Sequence, residues 1–136
     1  MKYILDTNTV SHLLKKHPEV KQRIQSKPMS SIYISSITEA ELHFGLAKRP
    51  KAITLHQLVH EFLIRVKILS WDSDTAKCYG SLRANIQQQG KALAPLDLLI
   101  AAHAQQYNAT LITNDKAFRQ IDALKIEDWL ETFFKD

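Results

Sequence analysis

Asp6, Glu41, Asp97 and Asp115 are spread over most of a 136-residue chain, yet each stands where a strand should end or a helix should begin. Asp6 follows the apolar run Tyr3-Ile4-Leu5, and Glu41 follows Ile32-Tyr33-Ile34 and a Ser/Thr cluster. Asp97 opens the stretch Leu98-Leu99-Ile100-Ala101-Ala102, and Asp115 follows Thr110-Leu111-Ile112-Thr113. In an open α/β sheet the carboxyl ends of the strands face one crevice, where acids placed this way converge. Two unit charges about 4 Å apart repel by roughly 4 kcal/mol at an effective dielectric near 20, so four in one place call for a cation. Mg²⁺ takes such hard oxygen ligands while keeping several waters. The chemistry this predicts is metal-dependent hydrolysis of a phosphate ester.

Each acid also has an ordinary structural use. Asp6, Thr7 or Asn8 fits the cap of the following helix, although Thr7 and Asn8 can equally hold the Asp6 carboxylate in position. In Ser36-Ile-Thr38-Glu39-Ala-Glu41, two capping boxes compete, Ser36 with Glu39 and Thr38 with Glu41, and spacing alone does not choose between them. Asp97 near a helix N-terminus is favoured by the helix dipole, but the helix after it is so apolar that it should be buried on most sides, and a charge at its mouth needs a partner. His103 lies nearly opposite Asp97 on that helix and is expected to be structural. Asn114-Asp115 also fits a simple turn.

The elements that must carry these residues alternate. Lys2–Leu5, Ile32–Ser35, Val66–Trp71 and Thr110–Thr113 read as short strands, and Lys125–Trp129 as a fifth strand or the entry to a terminal helix. Helices are expected over Thr7–His17, Pro18–Ser26, Thr38–Ala47, Pro50–Arg65, from Asp72 as cap to Gly90 as the residue past the end, and Pro95–Tyr107 stopped by Asn108. Ile53, Leu55, Leu58, Val59, Phe62 and Leu63 give the fourth of these a broad apolar stripe. Strands alternating with helices, without hairpin signals, predict an α/β fold with a central parallel sheet of four to five strands flanked by helices.

Bulk properties agree with a soluble enzyme of one domain. Hydrophobic residues make up 45% of the chain and charged residues 24%. The single Cys78 excludes an internal disulfide, and Asp6 interrupts the N-terminal apolar run too early for a signal peptide, so a cytoplasmic protein is expected. A net charge of +4 beside an acidic cluster implies a basic remainder, drawn from Lys15-Lys16-His17, Lys48-Arg49-Pro50-Lys51, Arg83, Lys91 and Arg119. An acidic metal pocket with a basic rim suits a polyanionic substrate. One cysteine and no HxxxH pairing argue against zinc, and there is no P-loop, dinucleotide fingerprint or G-x-S-x-G elbow.

Taken in order, Tyr3-Ile-Leu-Asp-Thr-Asn8, Ser36-Ile-Thr-Glu-Ala-Glu-Leu42, Asp97-Leu-Leu-Ile-Ala-Ala-His-Ala104, Ala109-Thr-Leu-Ile-Thr-Asn-Asp115 and Glu127-Asp-Trp129 resemble the PIN-domain proteins, specifically the VapC toxins of bacterial VapBC toxin–antitoxin pairs. The resemblance implies a single PIN domain over 1–136 with a three-layer fold, acting as an Mg²⁺- or Mn²⁺-dependent endoribonuclease on structured RNA. Initiator transfer RNA is the expected substrate. It implies Asp6, Glu41, Asp97 and Asp115 as the family's four acids, Glu39 as the cap, and Thr7, Asn8 and Thr113 as polar neighbours of the metal. A VapB-type antitoxin, a homodimer and a hetero-oligomer with the antitoxin follow as partners. Two departures stand out. Ala94 occupies a position where many relatives have glycine, and Asn114-Asp115 with Ala117 replaces an Asn-Asn pair and a later glutamate, leaving Asp115 as the nearby fourth acid. Of the rivals, an aspartate phosphatase lacks its second acid because Asn8 stands there, and a catalytically silent PIN-like domain would not need four acids.

Overall fold

Residues 1–130 are described here from a computed structural model. Five short strands, β1 (Tyr3–Leu5), β2 (Ile32–Ser35), β3 (Lys67–Leu69), β4 (Thr110–Ile112) and β5 (Ile126–Glu127), form one parallel sheet in the order β3-β2-β1-β4-β5. The chain winds outward from β1 through β2 to β3, then returns to the other side of β1 with β4 and β5. The order of connection therefore reverses between β1 and β4, the place where open α/β sheets gather their ligands. Tyr3, Ile4 and Leu5 pair with Thr110, Leu111 and Ile112, so β1 and β4 end level with one another.

Six helices connect the strands: α1 (Thr7–Leu14), α2 (Pro18–Gln25), α3 (Ser36–Ala47), α4 (Ile53–Arg65), α5 (Ser73–Gln88) and α6 (Pro95–Gln106). Short 3₁₀ turns at Met29–Ser31 and Lys116–Gln120, which the sequence pattern does not suggest, complete the elements. Strand alternation divides the apolar residues into two cores. Ile4 and Leu111 face α5 and α6, meeting Leu82, Ile86, Leu98, Ile100 and the small residues Ala101, Ala102 and Ala104. On the other face Leu5, Ile32, Ile34 and Ile112 pack against Val10, Val20, Leu42, Val59, Phe62 and Trp129.

The expected class, parallel sheet and strand count hold, and Lys125–Trp129 supplies the fifth strand. A terminal helix beyond Leu130 lies outside the described residues. Helix ends follow their local chemistry. Gly90 and Asn108 both have positive φ, and the amides at 90–91 and 108–109 return to carbonyls of the preceding turn, closing α5 and α6 as Schellman caps. The first helix stops earlier than expected because Lys16 adopts φ 61° and makes the same closure, with Lys16 and His17 amides bonded to Leu13 and His12. The fourth begins at Ile53, not Pro50, since Arg49 and Lys51 carbonyls are taken up by a preceding turn. Val59 and Phe62 of its stripe are spent on the chain's own core, while Ile53 and Ile64 remain exposed. No helix among the described residues is long and apolar enough to cross a membrane.

Gly90 has φ +69°, and nothing lies within 4 Å of where a Cβ would stand. Gly90→Ala should therefore cost about 1 kcal/mol through backbone strain alone, with the fold and any activity retained. Urea denaturation showing no loss would mean that the α5 cap relaxes freely.

Candidate active site

Asp6 is the first residue after β1, and its amide donates to the Ile112 carbonyl at 3.1 Å, which fixes it over the gap between β1 and β4. It is buried, 8% exposed, and caps α1: Oδ1 accepts the Thr9 amide at 2.8 Å. The capping and the ligand interpretations of Asp6 are thus compatible, since one carboxylate oxygen serves the helix and Oδ2 is left for a ligand. Thr9, which motif reasoning overlooked, also sends its hydroxyl to the Ile112 carbonyl at 3.0 Å and so ties α1 to β4.

Glu41 lies in the second turn of α3, where its Oε1 accepts the Thr7 hydroxyl at 2.5 Å. Thr7 thereby holds Glu41 and not Asp6, as the sequence suggested. Asn8 serves neither acid: its Nδ2 donates to Asn114 Oδ1 at 2.9 Å, joining the loops after β1 and β4. Asp115 follows β4, with its amide donating to buried Thr113 Oγ1 at 3.0 Å. Its Oδ1 accepts from the Ala117 amide at 2.9 Å, so the residue opens a 3₁₀ turn as well as facing the site.

Neither competing capping box forms. Ser35, the last residue of β2, caps α3 by accepting the Ile37 amide at 3.0 Å. Ser36 instead accepts the Trp71 amide at 3.1 Å, and Glu39 faces His43 at 3.9 Å one turn on, so Glu39 is not the cap. The register that places Ser35 at the boundary is set by its pairing with Leu69 across β2 and β3, which local spacing does not reveal.

Asp97 is the third residue of α6, after Pro95 in the first turn. Its carboxyl is pushed above the usual aspartate range, first by burial and then by the charges of Asp115, Asp6 and Glu41. Charges carried after β1, on α3 and after β4 thus act on Asp97 near the sheet's crossover. Among the described residues no group of three or more His, Cys, Asp or Glu side chains is placed to hold a metal ion between them. The donor set is nonetheless hard oxygen, self-repelling and centred on a half-buried acid, which fits a cation that brings its own waters and takes only one or two carboxylates directly. His103 is structural as expected: fully buried, it meets Ser35 Oγ at 2.7 Å, and burial lowers its pKa.

The expected basic rim divides. Lys15, Lys48, Arg49 and Lys51 line a groove of about 830 Å³ between α1, α3 and α4, whose inner end is formed by Thr7 and Glu41 and whose floor is apolar. Lys91 is committed elsewhere, to the Gln120 carbonyl at 2.9 Å and Asp122 at 3.9 Å, and Arg83 to the Tyr79 hydroxyl at 2.9 Å. Arg119 lines a separate depression with Asp122 and Glu127.

Asp97 binds its proton more tightly in the folded chain than in the unfolded one. Its ionisation therefore costs stability above the raised pKa, and the cost disappears as pH falls below the unfolded value of about 3.9. Without divalent ions, Asp97→Asn should be more stable than wild type at pH 7, with the difference shrinking towards pH 4. Equal stability at both pH values in denaturant titrations would contradict convergence of the acids.

Residues 3–124 match the PIN domain family. Among curated relatives, ribonuclease VapC2 of Rickettsia felis is 38% identical over 133 residues, spanning 95% of this chain and 98% of that protein. The tRNA(fMet)-specific endonuclease VapC of Salmonella typhimurium is 34% identical over 131 residues, with 95% and 98% covered. Among solved structures, VapBC2 from Rickettsia felis bound to a promoter DNA fragment contains a chain that superposes with a TM-score of 0.86 at 36% identity, covering 95% of this chain and 99% of that one. The extent of these matches, with the sheet order and the clustered acids, leaves one conclusion: the chain belongs to the VapC ribonucleases of the PIN-domain family.

Proposed function

We propose that this protein is the toxin of a type II toxin–antitoxin pair, a divalent-metal-dependent endoribonuclease whose site comprises Asp6, Glu41, Asp97 and Asp115. The observation that carries the assignment is the placement of Asp6 and Asp115 just past the level ends of β1 and β4, where the strand order reverses, with the loops that carry them joined by the Asn8–Asn114 bond; the raised Asp97 carboxyl accords with it. Asp6 and Asp97 are the residues that would hold Mg²⁺ or Mn²⁺ directly, with Glu41 and Asp115 holding further positions or metal-bound waters. When bound, such an ion supplies charge neutralisation at a phosphate and a more acidic water.

The chain's own groups prepare that chemistry. The Thr9 amide fixes one Asp6 oxygen and so aims the other, and the Thr7 hydroxyl fixes Glu41. Thr113 orients the Asp115 backbone, and the Asn8–Asn114 bond keeps the loops that carry Asp6 and Asp115 in register. Lys15, Lys48, Arg49 and Lys51 offset the acids' repulsion of a polyanion and can receive phosphates flanking the cleaved bond. A single-stranded loop meets such a crevice better than a duplex, because its phosphates and bases can be splayed apart. The Salmonella relative's specificity supports initiator transfer RNA as the substrate. The VapBC complexes among the structural relatives support a VapB-type antitoxin as partner and a hetero-oligomer with it. Homodimerisation rests on the family resemblance, since most of the α4 stripe packs inward.

Asp6→Asn and Asp97→Asn should each abolish RNA cleavage with the fold intact, and excess EDTA should do the same to wild type. Full activity in EDTA would sink the metal assignment. A second comparison separates the two glutamates. Glu39→Ala, which loses only a 3.9 Å contact with an exposed His43, should cleave as wild type does, whereas Glu41→Gln should lose activity about ten- to hundred-fold. If Glu39→Ala is the impaired variant in a cleavage assay, the roles are reversed.

A further inference from the structure

The two helices that carry Glu41 and Asp97 are anchored in different cores. Leu42 of α3 packs with Val10, Val59 and Phe62 on one face of the sheet, whereas Leu98, Ile100 and Ala101 of α6 pack with Ile4 and Leu111 on the other, which α3 reaches only with the half-buried Ile37 of its first turn. Apolar packing is non-directional, so a contact such as that of Ile37 does not by itself fix the separation of the two acids, whereas a directional bond between the helices does.

Ser35 does cross. It pairs with Leu69, whose side chain packs on the α5–α6 face, so its own side chain points to that face, while the helix it opens sends Leu42 to the opposite one. Ser35 Oγ accepts the Ile37 amide at 3.0 Å and meets His103 Nδ1 at 2.7 Å, with both side chains fully buried. Ser35 Oγ has one hydrogen to donate and, beyond the Ile37 amide, a second lone pair to accept with, so its bond to Nδ1 forms with either ring tautomer. Nε2 has no hydrogen-bond partner of good geometry, the ring's other polar neighbour being the Ser70 backbone, so the Ser35 contact is its well-formed directional tie. A second tie runs parallel to it. The Trp71 amide donates to Ser36 Oγ at 3.1 Å, and its indole Nε1 donates to the Leu99 carbonyl of α6 at 3.0 Å.

We propose that Ser35 and His103 are positioning residues of the active site, their buried hydrogen bond setting the distance between Glu41 on α3 and Asp97 on α6 and thereby the site's affinity for its divalent ion. The proposal rests on the metal-dependent function assigned above. Ser35 stands six residues before Glu41 and His103 six residues after Asp97, so neither touches the ion, and each acts through the helix it anchors. A slip at this contact is transmitted along α3 and α6 as a rigid displacement of one carboxylate against the other.

The test is Mn²⁺ binding by isothermal titration on the intact, antitoxin-free protein, together with the Mn²⁺ dependence of RNA cleavage and the unfolding temperature. Ser35→Ala removes the bond and the α3 cap, His103→Leu removes the bond and spares the cap, and Ser35→Thr keeps both. Val20→Ala, in the opposite core, supplies a destabilised control. Ser35→Ala and His103→Leu should each weaken Mn²⁺ binding about ten-fold and raise the half-saturating Mn²⁺ for cleavage by the same factor, with most of the rate recovered at saturation. Ser35→Thr should bind as wild type does, and Val20→Ala should lose unfolding temperature without losing affinity. Wild-type affinity in Ser35→Ala and His103→Leu, or a loss in Val20→Ala as large as theirs, overturns the positioning role while leaving the metal site standing. A wild-type protein that neither binds Mn²⁺ nor cleaves RNA overturns the metal-dependent function itself, and the positioning role with it.

Discussion

Four carboxylates kept within reach of one another are a cost to the folded state, and much of this protein's layout follows from bearing that cost. The raised Asp97 carboxyl is its direct signature: burial and three neighbouring charges all oppose ionisation. A fold selected only for stability would separate these groups or pair each with an arginine. Here they come from four elements that converge because β1 and β4 lie side by side in a parallel sheet and end at the same level.

The surrounding hydrogen bonds show how the cost is managed. Asp6 is held by a helix amide, Glu41 by a threonine hydroxyl, and Asp115 by the amide of a 3₁₀ turn. Each bond occupies one oxygen and leaves carboxylate capacity over for a ligand. Thr9 ties α1 to β4 and Asn8 ties the two loops, so side-chain hydrogen bonds cross-link the backbone around the acids. The proposed metal site would need rigid support of this kind, because such a site loosened by even a small shift loses affinity.

The strands were readable because each is a short β-branched or aliphatic run bounded by polar residues, and Gly90 and Asn108 marked helix ends through the positive φ they tolerate. The four acids were readable for a related reason, since each falls at a boundary that the apolar pattern defines. Their partners were not. Thr7 was expected to serve Asp6, one residue away, and serves Glu41 thirty-four residues on. Local spacing offered Ser36 and Thr38 as caps, whereas Ser35 takes the role, and the choice is made by register against β3. Lys48 and Lys91 are alike in sequence, yet one lines the groove beside Glu41 and the other is spent on Gln120 and Asp122. Local pattern places elements and their boundary residues, whereas contacts between distant loops depend on a topology that no single segment encodes.

We propose that these acids are brought together to hold a divalent ion. Crystals soaked in Mn²⁺ and measured at the manganese absorption edge test it most directly. The account predicts an anomalous peak within inner-coordination distance, about 2.0–2.3 Å, of oxygens from Asp6 and Asp97, with any remaining ligands supplied by Glu41, Asp115 or water. Manganese bound elsewhere on the chain, with no peak between Asp6 and Asp97 in protein that still cleaves RNA, would contradict it.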